Sequence, residues 1–334
     1  MFLTAANLFI FNFDFDMNVD SNADLLRFLK SFAIITAGII VFDLIIGAGM
    51  GYLYKKQSSG LLYRTTYAID STKADYIVVG SSRASHHYDS KVFENCLQSS
   101  FYNCGRDQQN LIYSCAIISA ITSRYSPKYI IIDIVPNEFT QSAEGKLPAL
   151  LPYYKNKAIR PYINFNSNFE NIKLISKIYP YNSLLTDIVM GFNKKWEKDY
   201  KGYIKLTRLN EGYHYKIVDS TKIVKEENTI DSVKIKVLSN LVDKLNKRHI
   251  PVLLAISPFP YKNVNPITTN LCLSLCKRYS NLKFLSFTNM PAWYDDKYFF
   301  DNVHLNDKGA TLFSQTIAKY IIADSKDKSA SIVP

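Results

Sequence analysis

The longest apolar run in the chain is Phe32–Leu53, FAIITAGIIVFDLIIGAGMGYL, broken by one charge at Asp43. As a helix it would reach about 33 Å, against roughly 30 Å of bilayer hydrocarbon. Further on, the pattern changes to short undivided apolar strands alternating with amphipathic helices. Tyr76–Gly80 (YIVVG), Tyr129–Val135 (YIIIDIV) and Pro251–Ile256 (PVLLAI) have strand length and β-rich composition. Leu111–Arg124 predicts a helix through Ile112, Ala116, Ile117, Ala120 and Ile121, and Val233–Arg248 another through Val237, Leu238, Leu241, Val242 and Leu245. After Asn306, an N-cap residue type, Leu312, Phe313, Ile317 and Tyr320 mark a last helix. Such alternation predicts an α/β fold, a parallel sheet covered on both faces, with working residues on loops at the carboxyl ends of strands.

Asp43 sets the energetics of the apolar run. It costs about 2.5–3.5 kcal/mol at mid-membrane, whereas the Phe, Ile, Val and Leu residues return about 3–7 kcal/mol, so insertion wins narrowly. The competing reading is a buried helix of a soluble core. Four acids in the preceding thirty residues argue against a cleaved signal peptide, although initiation at Met17 would shorten that tail. Arg27 and Lys30 on one side and Lys55 and Lys56 on the other leave orientation undecided by charge. Asp43 is either a contact to a membrane partner or a tolerated residue of a simple anchor. The predicted organisation is a tail over 1–30, a transmembrane anchor over 31–54 and a polar tether over 55–73. A catalytic-type domain over 74–325 and a tail over 326–334 complete it.

Within that domain the rhythm fails over 141–230, a Tyr-, Asn- and Lys-rich stretch with 15 Lys and Arg against 9 Asp and Glu. It reads either as a solvated insertion or as a cap whose aromatics and cations hold a sugar or an anionic polymer. The stretch carries more than half of the chain's net charge of +11. No basic run suits a nucleic-acid arm, so nucleic acid is not an expected partner. The hydrophobic share of 47% excludes wholesale disorder. Five cysteines without a CxxC pair exclude a zinc ribbon or thioredoxin-type motif and favour buried thiols. The scattered histidines show no repeated metal-ligand spacing, so neither metal nor cofactor is expected.

The chemistry concentrates in two places. Gly80-Ser81-Ser82-Arg83 follows the first strand, where a tight turn can expose a serine Oγ at the sheet edge. Asp301-Asn302-Val303-His304 stands directly before the last helix. A serine hydroxyl needs a base within hydrogen-bond reach, and a carboxylate can fix that base's tautomer. Ser82, His304 and Asp301 supply nucleophile, base and orienting acid.

With these residues in place, the chain resembles the SGNH (GDSL-type) hydrolase superfamily over residues 75–325. Gly80-Ser81-Ser82 matches the first block, with Ser82 at the nucleophile. Asn103-Cys104-Gly105 matches the block whose glycine N–H joins the oxyanion hole. Pro136-Asn137-Glu138 resembles the Gly-x-Asn-Asp block, and Asp301-x-x-His304 the last. The resemblance implies a three-layer α/β/α domain and an oxyanion hole of Ser82, Gly105 and Asn137. Ser81 stands where Asp is usual, Arg83 where Leu is usual, and Pro136-Asn137-Glu138 departs from the third block. These departures resemble the membrane-anchored branch associated with O-acylation of cell-envelope polysaccharides, relatives of alginate acetylation and teichoic-acid D-alanylation accessory proteins. That branch implies a single-pass protein of the cytoplasmic membrane with its catalytic domain outside. It further implies an acyl-ester or polysaccharide substrate and a membrane-bound O-acyltransferase partner. The competing function is a non-catalytic polysaccharide-binding partner of that acyltransferase. Individual residues have plainer readings: Ser82 as a helix cap, Asn137 as a turn residue, Gly105 as a backbone necessity. His86 and His87 read as surface residues, and His214 and His249 have no constellation around them.

Overall fold

The computed structural model describes residues 21–140, 147–163, 169–193, 199–207, 229–260 and 266–330. Five strands form one parallel sheet in the order β2-β1-β3-β4-β5: β1 Tyr76–Val79, β2 Phe101–Asn103, β3 Tyr129–Asp133, β4 Val252–Ile256 and β5 Leu282–Ser286. All pairings are parallel, with Val79 opposite Ile132 and Asp133 opposite Ala255. The chain order runs outward in opposite directions from β1, so the crevice beyond β1 and β3 is the topological switch point.

The helices are α1 Ser21–Lys55, α2 Gly60–Asp70, α3 Ser82–His87, α4 Ser90–Leu97, α5 Leu111–Thr122, α6 Arg160–Ile163, α7 Glu170–Lys173, α8 Leu185–Asn193, α9 Ser232–Lys247, α10 Ile267–Arg278 and α11 Asp307–Ala330. Strand side chains alternate between two cores, as the pleat requires. Ile77, Val79, Ile130, Ile132 and Leu254 pack with α2, α5, α9 and α10. Val78, Ile131, Leu253 and Ala255 pack with Phe93 of α4 and with Phe313, Ile317 and Ile321 of α11. The fold is therefore α/β in three layers. Asn306 caps α11, its Oδ1 accepting the Gly309 N–H at 3.0 Å. All five cysteines are free.

Several boundaries differ from the sequence reading. The stretch 55–73 is not an open tether: most of it is α2, whose Leu62, Ala68 and Ile69 are buried. Its polar residues face protein too, Arg64 donating to the Gly202 carbonyl and Thr65 meeting the Tyr113 hydroxyl. The apolar run lies inside α1, the one described helix long and apolar enough to cross a membrane. Its C-terminal turns nonetheless belong to the domain. Met50 and Tyr54 are buried with Leu62, Leu184 and Ile188, while large apolar side chains from Leu25 to Ile46 are exposed.

The predicted insertion is described in three pieces. Leu147, Leu150, Leu151, Ile159 and Ile163 join the α5 core. The piece 169–193 packs on α1. The piece 199–207 crosses α3 and β2, with Ile204 N–H donating to Ser85 O and Asn103 N–H to Lys201 O. Apart from 229–230, the rest of 141–230 lies outside the described residues, as do 1–20 and 331–334; of the predicted tails, 21–30 open α1 and 326–330 end α11.

Candidate active site

Strand β1 delivers the serine through a turn that only glycine can make. Gly80 has φ +154°, and a β-carbon there would lie 2.8 Å from Ala84 Cβ and 3.0 Å from Asp133 Cβ. Ser81 then caps α3, its Oγ accepting the Arg83 N–H at 3.4 Å. Ser82 is the first helical residue, so its N–H has no acceptor inside the helix.

The partner loop precedes α11. Asp301 Oδ1 accepts the N–H groups of Val303 and His304, each at 2.8 Å, which folds the loop around the carboxylate. Asp301 Oδ2 lies 2.8 Å from His304 Nδ1, and His304 Nε2 lies 2.8 Å from Ser82 Oγ. A proton on Nδ1, held by the carboxylate, leaves Nε2 as the acceptor of the serine proton. Partial burial pushes the Asp301 carboxyl up, but the His304 bond and the two N–H donors outweigh it and hold it below the usual range. Thus the three residues expected to act together meet in one relay.

Beneath the relay lies a polar cluster that the sequence reading missed. Arg83 is 3% exposed and donates to Val303 O at 3.1 Å, to Ser257 O at 2.5 Å and to Ser257 Oγ at 2.6 Å. Its guanidinium stacks on Phe259, 3.7 Å from the ring centroid. His87 is fully buried rather than on the surface. Its Nε2 accepts the Leu305 N–H at 3.0 Å, which leaves Nδ1 to donate to Ser257 Oγ at 2.9 Å. Burial and the nearby Arg83 cation push the His87 pKa well down, so the ring is neutral. Asp133, the last residue of β3, accepts from the Tyr88 hydroxyl at 2.8 Å.

His86 is also buried, again against expectation. Its Nδ1 donates to Ile204 O at 2.9 Å, its Nε2 lies 3.8 Å from Asp107 Oδ2, and its ring sits edge-on to His304 at 5.3 Å. The signal for both histidines was their place on α3: four and five residues after Ser82, they turn inward beside it. Asp107 and Ile204, the partners of His86, line a cavity of about 280 Å³ together with Gln57, Arg64, Asp187 and Asp199. His249 is exposed at the turn after α9, and His214 lies outside the described residues.

The two remaining expected oxyanion residues occupy the right edge of the sheet in different circumstances. Gly105 follows β2 and packs on α3 so closely that a β-carbon would sit 2.4 Å from the Ser85 nitrogen. Its N–H donates to Asn103 Oδ1 at 2.9 Å, so that donor is engaged within the protein. Asn137 lies half-buried in the turn after β3, across the switch point from Ser82. The turn is held by Glu138, whose carboxylate pairs with the buried Lys234 at 3.0 Å and accepts the Leu111 N–H at 3.1 Å. Lys234 Nζ also donates to the Glu138 carbonyl at 2.7 Å. Among the described residues no group of three or more His, Cys, Asp or Glu is placed to hold a metal ion.

No protein-family model matches the chain, and no curated protein matches it. Solved structures of similar shape include a proposed platelet activating factor from Streptococcus pneumonia, at TM-score 0.41 and 11% identity over 90% of this chain and 99% of that one. A proposed lipolytic protein of G-D-S-L family from Desulfitobacterium hafniense DCB-2 aligns at TM-score 0.38 and 12% identity, over 73% of this chain and 97% of that one. A proposed acylhydrolase from Bacteroides fragilis NCTC 9343 aligns at TM-score 0.39 and 11% identity, over 81% and 99%.

Proposed function

We propose that this chain is a membrane-anchored serine esterase or O-acyltransferase of SGNH type. It would act on acyl groups, acetyl foremost, of an exported or cell-envelope polysaccharide. One observation carries the reading: the unbroken relay from Ser82 Oγ through His304 to Asp301, with both links at 2.8 Å. A chain that only bound polymer would have no physical need for that alignment.

In the proposed reaction Ser82 Oγ attacks the acyl carbonyl carbon while His304 Nε2 takes its proton. Asp301 stabilises the resulting imidazolium. The developing oxyanion is bound by the Ser82 N–H and the Asn137 amide, with Gly105 joining only if its N–H leaves Asn103. Collapse expels the alcohol, which receives the proton from His304, and leaves an acyl group on Ser82. Water or a second sugar hydroxyl, deprotonated by His304, then attacks the acyl carbon and frees the serine. The cavity beside His86 offers Gln57, Arg64, Asp107 and Asp187, side chains suited to hydroxyl groups of an acceptor sugar.

On this reading α1 anchors the protein in the cytoplasmic membrane with residues beyond it outside, beside a membrane O-acyltransferase. The deciding assay is turnover of a chromogenic acetyl ester by the full chain in detergent. Loss of turnover in Ser82→Ala supports the enzyme. No turnover by the wild type, together with retained polysaccharide binding, would replace it with the binding-partner reading.

A further inference from the structure

The piece 169–193 carries an apolar surface with no protein over it. Phe169, Ile172 and Ile175 recur every third residue around α7 and are exposed, at 69%, 60% and 74%. Leu185, Val189 and Met190 are likewise exposed on α8, whose other side buries Ile188. Six large apolar side chains exposed within 22 residues exceed what a solvated insertion presents.

The same piece is pinned to α1. Asp43, the lone charge of the apolar run, accepts from Ser176 Oγ at 2.5 Å and from the N–H groups of Lys177 at 2.6 Å and Ile178 at 3.2 Å. One turn on, Gly47 has no side chain because the Lys177 backbone occupies its place: a β-carbon would lie 2.4 Å from the Lys177 carbonyl carbon. Another turn on, Gly51 makes room for the Tyr181 hydroxyl in the same way, at 2.9 Å. These contacts lie on one stripe of α1 at i, i+4, i+8 spacing. Ile175, next to Ser176 in the chain, therefore lies near the level of Asp43, short of the exposed Ile45 and Ile46, beyond which only Tyr52 of α1 is a large exposed apolar side chain.

From this we infer that residues 169–190 form a second membrane contact, an in-plane wedge that enters the outer leaflet beside α1. The inference rests on the anchored reading of α1. The occupant of the apolar surface is phospholipid, because that surface continues the lipid-facing surface of α1 at the same depth. Asp43 is then no mid-membrane charge: it caps the backbone of the wedge, whose N–H groups would otherwise face hydrocarbon unpaired. Within the wedge, Lys173 is paired with Glu170 at 2.7 Å, and Lys177 supplies a cation suited to headgroup phosphates.

The test uses the unmodified full chain in phosphatidylcholine–phosphatidylglycerol vesicles and a photoactivated carbene reagent confined to the bilayer. Peptide mapping should find label on α1 and on 169–190. Label on α1 alone would overturn the wedge, and would leave a second protein copy or a partner as what covers that face. Label on neither would overturn the anchored reading itself. Independently, Ile175→Trp in vesicles of brominated lipid should be quenched as strongly as Phe42→Trp within α1, after subtraction of the wild-type signal. Quenching no greater than for Leu273→Trp on α10 would also sink the proposal.

Discussion

Arg83 donates to the carbonyl of Val303 at 3.1 Å, so the residue after the serine holds the residue before the histidine. His87, one turn further along α3, accepts the N–H of Leu305 on the other side. His304 is thus bracketed by the helix that carries Ser82, and the distance between them follows from one rigid body. Arg83→Lys keeps a charge but loses the fork that reaches Val303 and Ser257 together. Turnover should fall about 10²-fold, the cost of an ångström-scale misplacement, with KM nearly unchanged. Steady-state kinetics on a chromogenic ester would check it; an unchanged kcat would mean that Arg83 serves packing only.

The relay should behave as a unit. Ser82→Ala and His304→Ala should each remove turnover, and the double variant should be no slower than Ser82→Ala. Asp301→Asn should cost about 10⁴-fold, because an amide favours the wrong imidazole tautomer. Asn137→Ala should cost roughly 10²–10³-fold in kcat if its amide binds the oxyanion. Single-turnover rates for the set would separate these cases, and wild-type rates in Ser82→Ala would move the nucleophile elsewhere, Ser81 first.

His87 should make the domain acid-sensitive. Its folded pKa is depressed below the unfolded value near 6.5, so the unfolded chain binds the extra proton. The stability linked to the neutral ring is therefore complete above about pH 6.5. It falls by about 1.4 kcal/mol per pH unit as pH drops toward the folded value. Replacing the ring, as in His87→Gln, should remove that slope, so the difference in unfolding free energy between the two proteins should shrink from pH 7 to pH 5. A constant difference across that range would contradict the neutral buried ring.

The buried pair of Lys234 and Glu138 should matter for stability beyond any surface ion pair. Lys234→Met leaves the Glu138 carboxylate buried without its cation, a loss of about 3–5 kcal/mol. Because the pair fixes the turn that carries Asn137, the variant should also lose activity before it unfolds. Parallel melts and assays across temperature would show whether the two losses separate.

Cutting the chain after Lys55 should damage the domain. That cut removes Met50 and Tyr54, whose neighbours Leu62, Leu184 and Ile188 would be left against a void. Each loss of a buried side chain of this size costs about 2–5 kcal/mol. A fragment starting at Gly47 should therefore resist proteolysis better than one starting at Lys56, and equal resistance would remove α1 from the core.

The hydrogen-bonded line of Ser82, His304 and Asp301 was legible in sequence because the proposed chemistry needs particular residue types at fixed places: a serine after a strand-ending glycine, and Asp-x-x-His before the last helix. Strands β1, β3 and β4 were legible as undivided apolar runs. Strand β2 was not, being three residues long, and β5 was not, because Lys283 and Ser286 break up the short run LKFLS. Helix α2 looked like a tether since Arg64, Thr65 and Thr66 make its surface polar, yet their partners come from residues far along the chain. For the same reason His86 and His87 looked exposed. Polarity in a sequence reports solvent only when no distant partner is waiting, and local pattern does not list distant partners.

Helix α1 runs from its exposed apolar surface into the domain core without a loop. A flexible leash of nineteen residues would let a domain wander by about 24 Å. A continuous helix allows no such roaming, so on the anchored reading Ser82, the proposed nucleophile, stands at a set altitude above the bilayer, facing one way. Polymer strands would then be sampled in a thin sheet parallel to the surface, like cloth passing under a fixed needle. Modification along a growing chain would be spaced by how fast the chain moves past, and lengthening α1 by whole turns would raise the plane of work by about 5.4 Å per turn.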